Sequence, residues 1–361
     1  MNSISYLYFI TPLIAFLLSM VLIPVFRKLA FRISLVDLPN HRKKHNESVP
    51  LIGGISVFLS VNLAMLFSLA FDVSLKTLEP VFIMALVMLV MGVIDDRKDL
   101  RASIKLAVQL LLAHWIFSSG IRIETIHGIF GLGELTPWMQ YLLTIIVIAG
   151  VVNAFNLMDG VDGLAAGLAI IGFAIYAVIS TFTGQYQLTL TFLTFIGALI
   201  GFLRFNFSKK RKIFMGDAGS LVIGFVLVVG GIQLMQGAVG NARELLLVLG
   251  VVGVLLVPVM DAIRVFYLRM LAGKSPFKAD RNHLHHLVLA LGVKHKLAAI
   301  IIIGLSLLLI VFGVLTYHIV GLTFALVVML LVFYTVTSFL QFNKKIKTWK
   351  ERIKQMEIGE L

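Results

Sequence analysis

The sequence has no cysteine, which excludes disulfides and thiolate metal ligands and leaves the redox compartment unreadable. It is also poor in charge: 14% of its 361 residues are Asp, Glu, Lys or Arg, against 59% hydrophobic residues, and the mean hydropathy is +1.00. A soluble domain of this length is not so apolar, so the chain belongs in a bilayer. No repeat, low-complexity run or loop long enough for a second domain is present. A Walker A pattern is absent, which argues against an ATPase, and so is an HExxH zinc pattern.

What the sequence has in abundance is long apolar runs. A spanning helix needs about 20 mainly apolar residues, and eleven stretches qualify, near 4–26, 51–71, 80–94, 104–121, 138–155, 164–182, 187–203, 219–236, 245–263, 297–317 and 319–341. The first is too long and too weakly charged at its start for a cleaved signal peptide. All of the 31 Lys and Arg except Lys76, Arg122 and Arg243 fall on one side of the resulting topology. Short cytoplasmic loops carry that excess. The expected fold is therefore an all-α polytopic membrane protein with about eleven transmembrane helices, its N-terminus outside, its C-terminus cytoplasmic and its active site formed by cytoplasmic loops. Residues 1–341 are expected to form one polytopic unit. Residues 342–361, with Trp349 and Met356 among six basic residues, read as a cytoplasmic amphipathic tail resting on anionic headgroups, or as a solvated basic tail. The net charge of +13 is the ordinary cationic cytoplasmic face, so nucleic acid is not an expected partner.

Most of the 18 acidic residues share that basic side, which topology rules do not require. Asp95, Asp96 and Asp99 in MGVIDDRKDL close the third apolar run, and helical spacing would put Asp99 beside both earlier carboxylates. Such repulsion needs a bound cation or the neighbouring Arg97, Lys98 and Arg101; a charged helix end in the headgroups is the plain alternative. In NAFNLMDGVDGL, Asn153, Asn156, Asp159 and Asp162 recur every third residue, a pattern that is costly at a membrane unless it faces a hydrated cavity. In FMGDAGS, Asp217 reads as a helix N-cap, a position that also suits a phosphate–metal group. KSPFKADRNHLHH brings His283, His285 and His286 together behind Asp261, Arg264 and Arg269. His283 and His286 share a helix face without a third ligand, so a diphosphate grip fits better than zinc. The loop DLPNHRKKHNESVPLIGG adds Arg42, Lys43 and His45. Hard oxygen donors beside Arg, Lys and His suit Mg²⁺, or Mn²⁺, and phosphoryl transfer to a lipid-borne acceptor.

DDRKD, NAFNLMDGVDGL, FMGDAGS and NHLHH, in this order between apolar runs, resemble the polyprenyl-phosphate N-acetylhexosamine-1-phosphate transferase family, of glycosyltransferase family 4 type. The two basic loops resemble its N-acetylglucosamine branch rather than its phospho-MurNAc-pentapeptide branch. The resemblance implies UDP-N-acetylhexosamine and polyprenyl phosphate as substrates, Asp217 as Mg²⁺ ligand, and Asp95 and Asp96 flanking the attacking lipid phosphate. Asn156 and Asp159 would line the diphosphate and metal region, Asp162 and Phe214 would contact uridine, and His283, His285 and His286 would sit beside the diphosphate. Arg264 and Arg269 fall in the loop associated with sugar recognition, and His45 is a further substrate contact. Asn206, Phe207 and Ser208 replace a Pro-containing link of the family, so no uridine contact is carried over to Asn206. Membrane lipids, and as an open alternative a second copy in a homodimer, complete the expected partners. A secondary transporter or lipid-glycan flippase is the rival class, but transporters pair related halves around a midplane site, and no such halves are visible.

Overall fold

The computed structural model describes residues 2–38, 48–71, 76–275 and 282–357, and is all-α apart from one minimal strand pair. The helices are α1 (Asn2–Arg32), α2 (Gly53–Ser68), α3 (Glu79–Lys98), α4 (Ala102–Ser118), α5 (Pro137–Asn156), α6 (Leu164–Phe182), α7 (Tyr186–Asn206), α8 (Gly216–Ala238), α9 (Glu244–Leu271), the short α10 (Leu284–Leu289) and α11 (His295–Glu357). Strands β1 (Val36–Asp37) and β2 (Val49–Pro50) pair antiparallel, Val36 opposite Pro50, between α1 and α2. Eight of the described helices are long and apolar enough to cross a membrane; α4 is shorter, and α3 ends in Asp95, Asp96, Arg97 and Lys98. The chain is a multi-pass membrane protein.

Helix α1 shows why these sequences become lipid-facing helices. Phe9, Leu13, Leu17, Val21 and Val25, four apart, are exposed along one face, while Leu7, Thr11, Ala15, Ser19 and Ile23 are buried along the opposite one. Both faces lack charge, as expected for a helix set between protein and hydrocarbon. The buried face carries small residues so that backbones can approach: a Cβ on Gly197 of α7 would collide with the Pro12 carbonyl, and Ser19 Oγ donates to the Ala198 carbonyl at 3.0 Å. Helix α8 is the central strut. It is buried along nearly its whole length and packs on α2, α3, α5, α6 and α9.

The final two apolar runs form one helix, α11, broken at Gly321 (φ 78°, ψ 178°) rather than at the expected turn near 317–319. Only glycine reaches that backbone conformation without steric cost. Beyond it the helix continues through the basic segment, where Lys344 Nζ donates to Asn282 Oδ1 at 3.0 Å and Lys347 Nζ to the Ala290 carbonyl at 3.2 Å. The described residues of the four motifs DDRKD, NAFNLMDGVDGL, FMGDAGS and NHLHH lie at one end of the bundle, linked through α3, α5, α8 and α10. His127, Glu244, Gln236 and Asn241 make the loop contacts of the other end.

Candidate active site

The acidic end of α3 is built by its termination. Asp99 is not a helical neighbour of Asp95 and Asp96, as spacing alone suggested; it is the left-handed C-cap (φ 49°), a conformation that Asp tolerates better than most residues. That turn sends the Leu100 N–H back to Asp95 Oδ1 at 2.8 Å. Lys105 Nζ, from the first turn of α4, donates to Asp95 Oδ2 at 2.7 Å. Both oxygens of the buried Asp95 are therefore engaged, and the Asp217 carboxyl group lies near enough to interact with it.

Asp96 reaches the start of α8, where its two oxygens accept the backbone N–H groups of Asp217 (2.8 Å) and Ala218 (3.2 Å). The N-cap reading of Asp217 is thereby corrected. Asp217 lies inside the first turn, and the free N–H groups at this helix start are satisfied by a carboxylate from another helix. Gly216 permits this arrangement twice over, through φ 72° and because a Cβ there would meet the Asp96 carboxylate. Upstream, Phe214 bridges Leu51, and the first N–H groups of α2, on Gly53 and Gly54, donate to the Phe214 and Met215 carbonyls at 2.9 Å each. The starts of α2 and α8 are thus locked together.

Asn156, the last residue of α5, donates through Nδ2 to Asp217 Oδ1 and to Ser220 Oγ, both at 2.9 Å. Helix α5 stops there, so Asp159 and Asp162 sit in the following turns instead of continuing a helical stripe. Asn153 faces another way and pairs with Gln109 of α4. Burial, and then the charges of Asp217, Asp96 and Asp162, hold Asp159 well above the usual carboxylate range. Asp162 is tied to Lys212 at 2.6 Å, and the same ammonium stands 5.1 Å from the centre of the Phe214 ring. Asn206 serves the fold: its Nδ2 donates to the Ile213 carbonyl at 2.9 Å.

The histidines close the site from α10. His285 lies against Gly160, where a Cβ would collide with its ring, so the fourth motif meets the second. Burial, reinforced by His286, pushes His285 down to about 3, leaving a neutral imidazole. The rings of His283 and His285 are parallel, 6.0 Å apart, and His286 is tilted against His285 at 4.2 Å. Arg264 Nη2 donates to Asp261 Oδ1 (2.7 Å) and to the Asn282 carbonyl (2.6 Å), so this guanidinium ties the far end of the loop after α9 back to that helix. Arg269 is buried, with its guanidinium 5.8 Å from the Phe266 ring centre. His45 lies outside the described residues, as do Arg42 and Lys43.

Of the expected residues, Asp95, Asp96, Asn156, Asp159 and Asp217 meet directly or through their charges, and Asp162 with Phe214 and the three histidines border them. No motif marks Lys105 or Lys212, and Asp261, although it precedes the histidine loop, has no role that sequence alone assigns. Among the described residues no group of three or more His, Asp or Glu forms a closed metal cage. The donors do fit a cation shared with a ligand: Mg²⁺ usually takes one or two carboxylates plus substrate phosphates, and two carboxyl groups within interaction range need a shared proton or a cation between them.

Fold and site together define a multi-pass membrane protein whose carboxylates, lysines and histidines converge at one end of its helix bundle. The sequence pattern of Glycosyl transferase family 4 matches residues 79–235. An undecaprenyl-phosphate alpha-N-acetylglucosaminyl 1-phosphate transferase of Yersinia pestis is 34% identical over 309 residues, covering 83% of this chain and 81% of its own. Proteins of the same description in Salmonella typhi (34% over 293 residues, 80% and 78%) and Escherichia coli K12 (31% over 337 residues, 91% and 90%) are similar along most of both chains. The chain belongs to glycosyl transferase family 4.

Proposed function

We propose that this protein transfers N-acetylglucosamine-1-phosphate from UDP-N-acetylglucosamine to undecaprenyl phosphate and releases UMP, at the cytoplasmic face of a bacterial inner membrane, as the first lipid-linked step of a cell-surface polysaccharide. The observation that carries this reading is the meeting of Asp217 with Asp95 and Asn156 where α3 and α5 end and α8 begins, in a chain whose relatives bear that activity. An oxygen of the lipid phosphate attacks the sugar-bearing phosphorus. The bond from that phosphorus to the oxygen it shares with the uridine phosphate breaks, and UMP leaves with that oxygen.

Asp217 is the residue proposed to hold Mg²⁺, with Asn156 fixing its carboxylate at 2.9 Å. Mg²⁺, when bound, supplies charge neutralisation on the transferring phosphoryl oxygens. Lys105 gives the lipid phosphate a counter-charge at headgroup depth while it holds Asp95. With both oxygens already accepting hydrogen bonds, Asp95 acts better as a positioning charge than as a proton acceptor, and a phosphate that is already an anion has little need of a base. Lys212, Asp162 and Phe214 form the polar and aromatic edge proposed for the nucleotide. His283, His285 and His286 border the diphosphate. Purified protein given Mg²⁺, undecaprenyl phosphate and a panel of UDP-sugars should yield a lipid whose mass rises by one N-acetylhexosamine phosphate, with UDP-N-acetylglucosamine preferred. A lipid unchanged in mass with every donor would refute the assignment.

We further propose that the bundle crosses eleven times, α11 twice, with the site cytoplasmic; the skew of basic residues supports this. The absence of native cysteine makes single-cysteine labelling clean. In intact cells Arg211→Cys should be protected from an impermeant thiol reagent and Arg243→Cys should label. The reverse pattern, or labelling at both, would overturn the orientation.

A further inference from the structure

Asp261 stands outside the carboxylate cluster, yet among the described residues of this end of the molecule it is the least exposed acid: it is fully buried in α9, nearly three turns before the end of the helix. Its oxygens are divided between two tasks. Oδ1 accepts the Leu284 N–H (2.9 Å) and Arg264 Nη2 (2.7 Å), both of which hold backbone and loop in place. Oδ2 lies 2.9 Å from His283 Nδ1. A carboxylate against Nδ1 commits that nitrogen to carrying a proton and fixes the plane of the ring, which leaves Nε2 as the nitrogen offered to a ligand. His283 Nε2 is buried and has no hydrogen-bond partner among the described residues. Buried polar atoms are rarely left without a partner, so this atom is built for a group that arrives. The ring is stacked parallel to His285, which rests on Gly160 next to Asp159, so the group arrives from the side of the carboxylate cluster.

We infer that Asp261 is a positioning residue for the transfer reaction: it fixes the tautomer and the orientation of His283 so that the Nε2 lone pair accepts from a hydroxyl or amide N–H of the sugar nucleotide beside its diphosphate. This rests on the transferase reading and on the placement of His283 at the sugar nucleotide. Asp261 itself touches no substrate. Its carboxylate is needed because Arg264 and the Leu284 N–H together require an acceptor at Oδ1. In Asp261→Asn the amide oxygen is therefore retained there, and the amide nitrogen must face His283 Nδ1. A donor facing Nδ1 drives the ring proton onto Nε2, the opposite tautomer, with shape and packing preserved.

The test is a double-mutant cycle of Asp261→Asn with His283→Ala, read as kcat and KM for UDP-N-acetylglucosamine on purified protein. Asp261→Asn should lower kcat at least about 100-fold and change KM by less than about threefold. In the His283→Ala background the same substitution should cost less than about threefold, because nothing remains to be positioned. Should Asp261→Asn fail to purify as a monodisperse protein, Asp261→Glu serves in the same cycle: it keeps the charge that Arg264 needs but displaces the oxygen facing His283, so kcat should fall only where His283 is present. A full loss that persists in the His283→Ala background makes Asp261 a structural anchor and overturns the inference, as does an unchanged kcat in Asp261→Asn. Near-normal turnover of His283→Ala alone refutes the placement of His283 as well, whereas a strong loss in His283→Ala with additive Asp261 effects refutes only the positioning role.

Discussion

Asp217→Asn is expected to abolish turnover at saturating Mg²⁺ while leaving the protein at least as stable as before. The two halves of this outcome come from the same geometry. The Asp217 carboxyl group lies within interaction range of Asp95, Asp96 and Asp159, so the folded protein holds like charges together that would separate on unfolding. An amide at this position still accepts from Asn156 through its oxygen and turns its nitrogen, a donor, towards Asp95. Repulsion gives way to attraction, and thermal stability in detergent should stay equal or rise, as expected where a site is built at the expense of stability. What is lost is an anionic oxygen for the cation that neutralises the transferring phosphoryl group, a contribution of several kcal/mol; a drop of about 1,000-fold or more in kcat corresponds to about 4 kcal/mol. If Asp217 serves only as a favourable charge near the start of α8, worth about 0.3–1 kcal/mol, the variant should be slightly less stable and nearly fully active. The two readings thus move activity and melting temperature in different directions.

Much of this site is legible in the sequence because its chemistry breaks a membrane rule: carboxylates and amides stand at the ends of apolar helices where topology has no use for them. The motif around Asn156 and Asp159 and the one around Asp217 could be found that way, and α3, α5 and α8 bring them together. Pairings between elements were not legible. Lys105 is ten residues beyond Asp95 across a helix break, Lys212 meets Asp162 from another loop, and Asp261 meets His283 across the last turns of α9 and the loop that follows it. Spacing within one helix carries no information about such partners. Spacing extended past a helix end misleads at Asp99, which is turned away by its left-handed backbone, and within α5 it does not tell that Asn153 faces α4. The cap of α8 was assigned to the nearest acid in sequence, whereas the structure takes it from Asp96 on α3, which no local pattern encodes. The apolar runs 297–317 and 319–341 put the break of α11 a few residues before Gly321, where the backbone turns.

The measurement that tests the central claim most directly is UMP release by the purified protein with UDP-N-acetylglucosamine and Mg²⁺, in the presence and absence of polyprenyl phosphate. In the proposed arrangement the acceptor reaches the Asp95 and Lys105 end of the site from the membrane and the nucleotide comes from the aqueous side, so both can be bound together and no covalent relay through the protein is needed. UMP should therefore form only when the lipid phosphate is present, in equal amount to the lipid product, and protein incubated with the sugar nucleotide alone should carry no phosphosugar. A stoichiometric burst of UMP without lipid would contradict direct attack and make Asp95 or Asp96 the covalent nucleophile. No UMP under any condition, with movement of a lipid-linked sugar across liposomes instead, would contradict the transferase account itself.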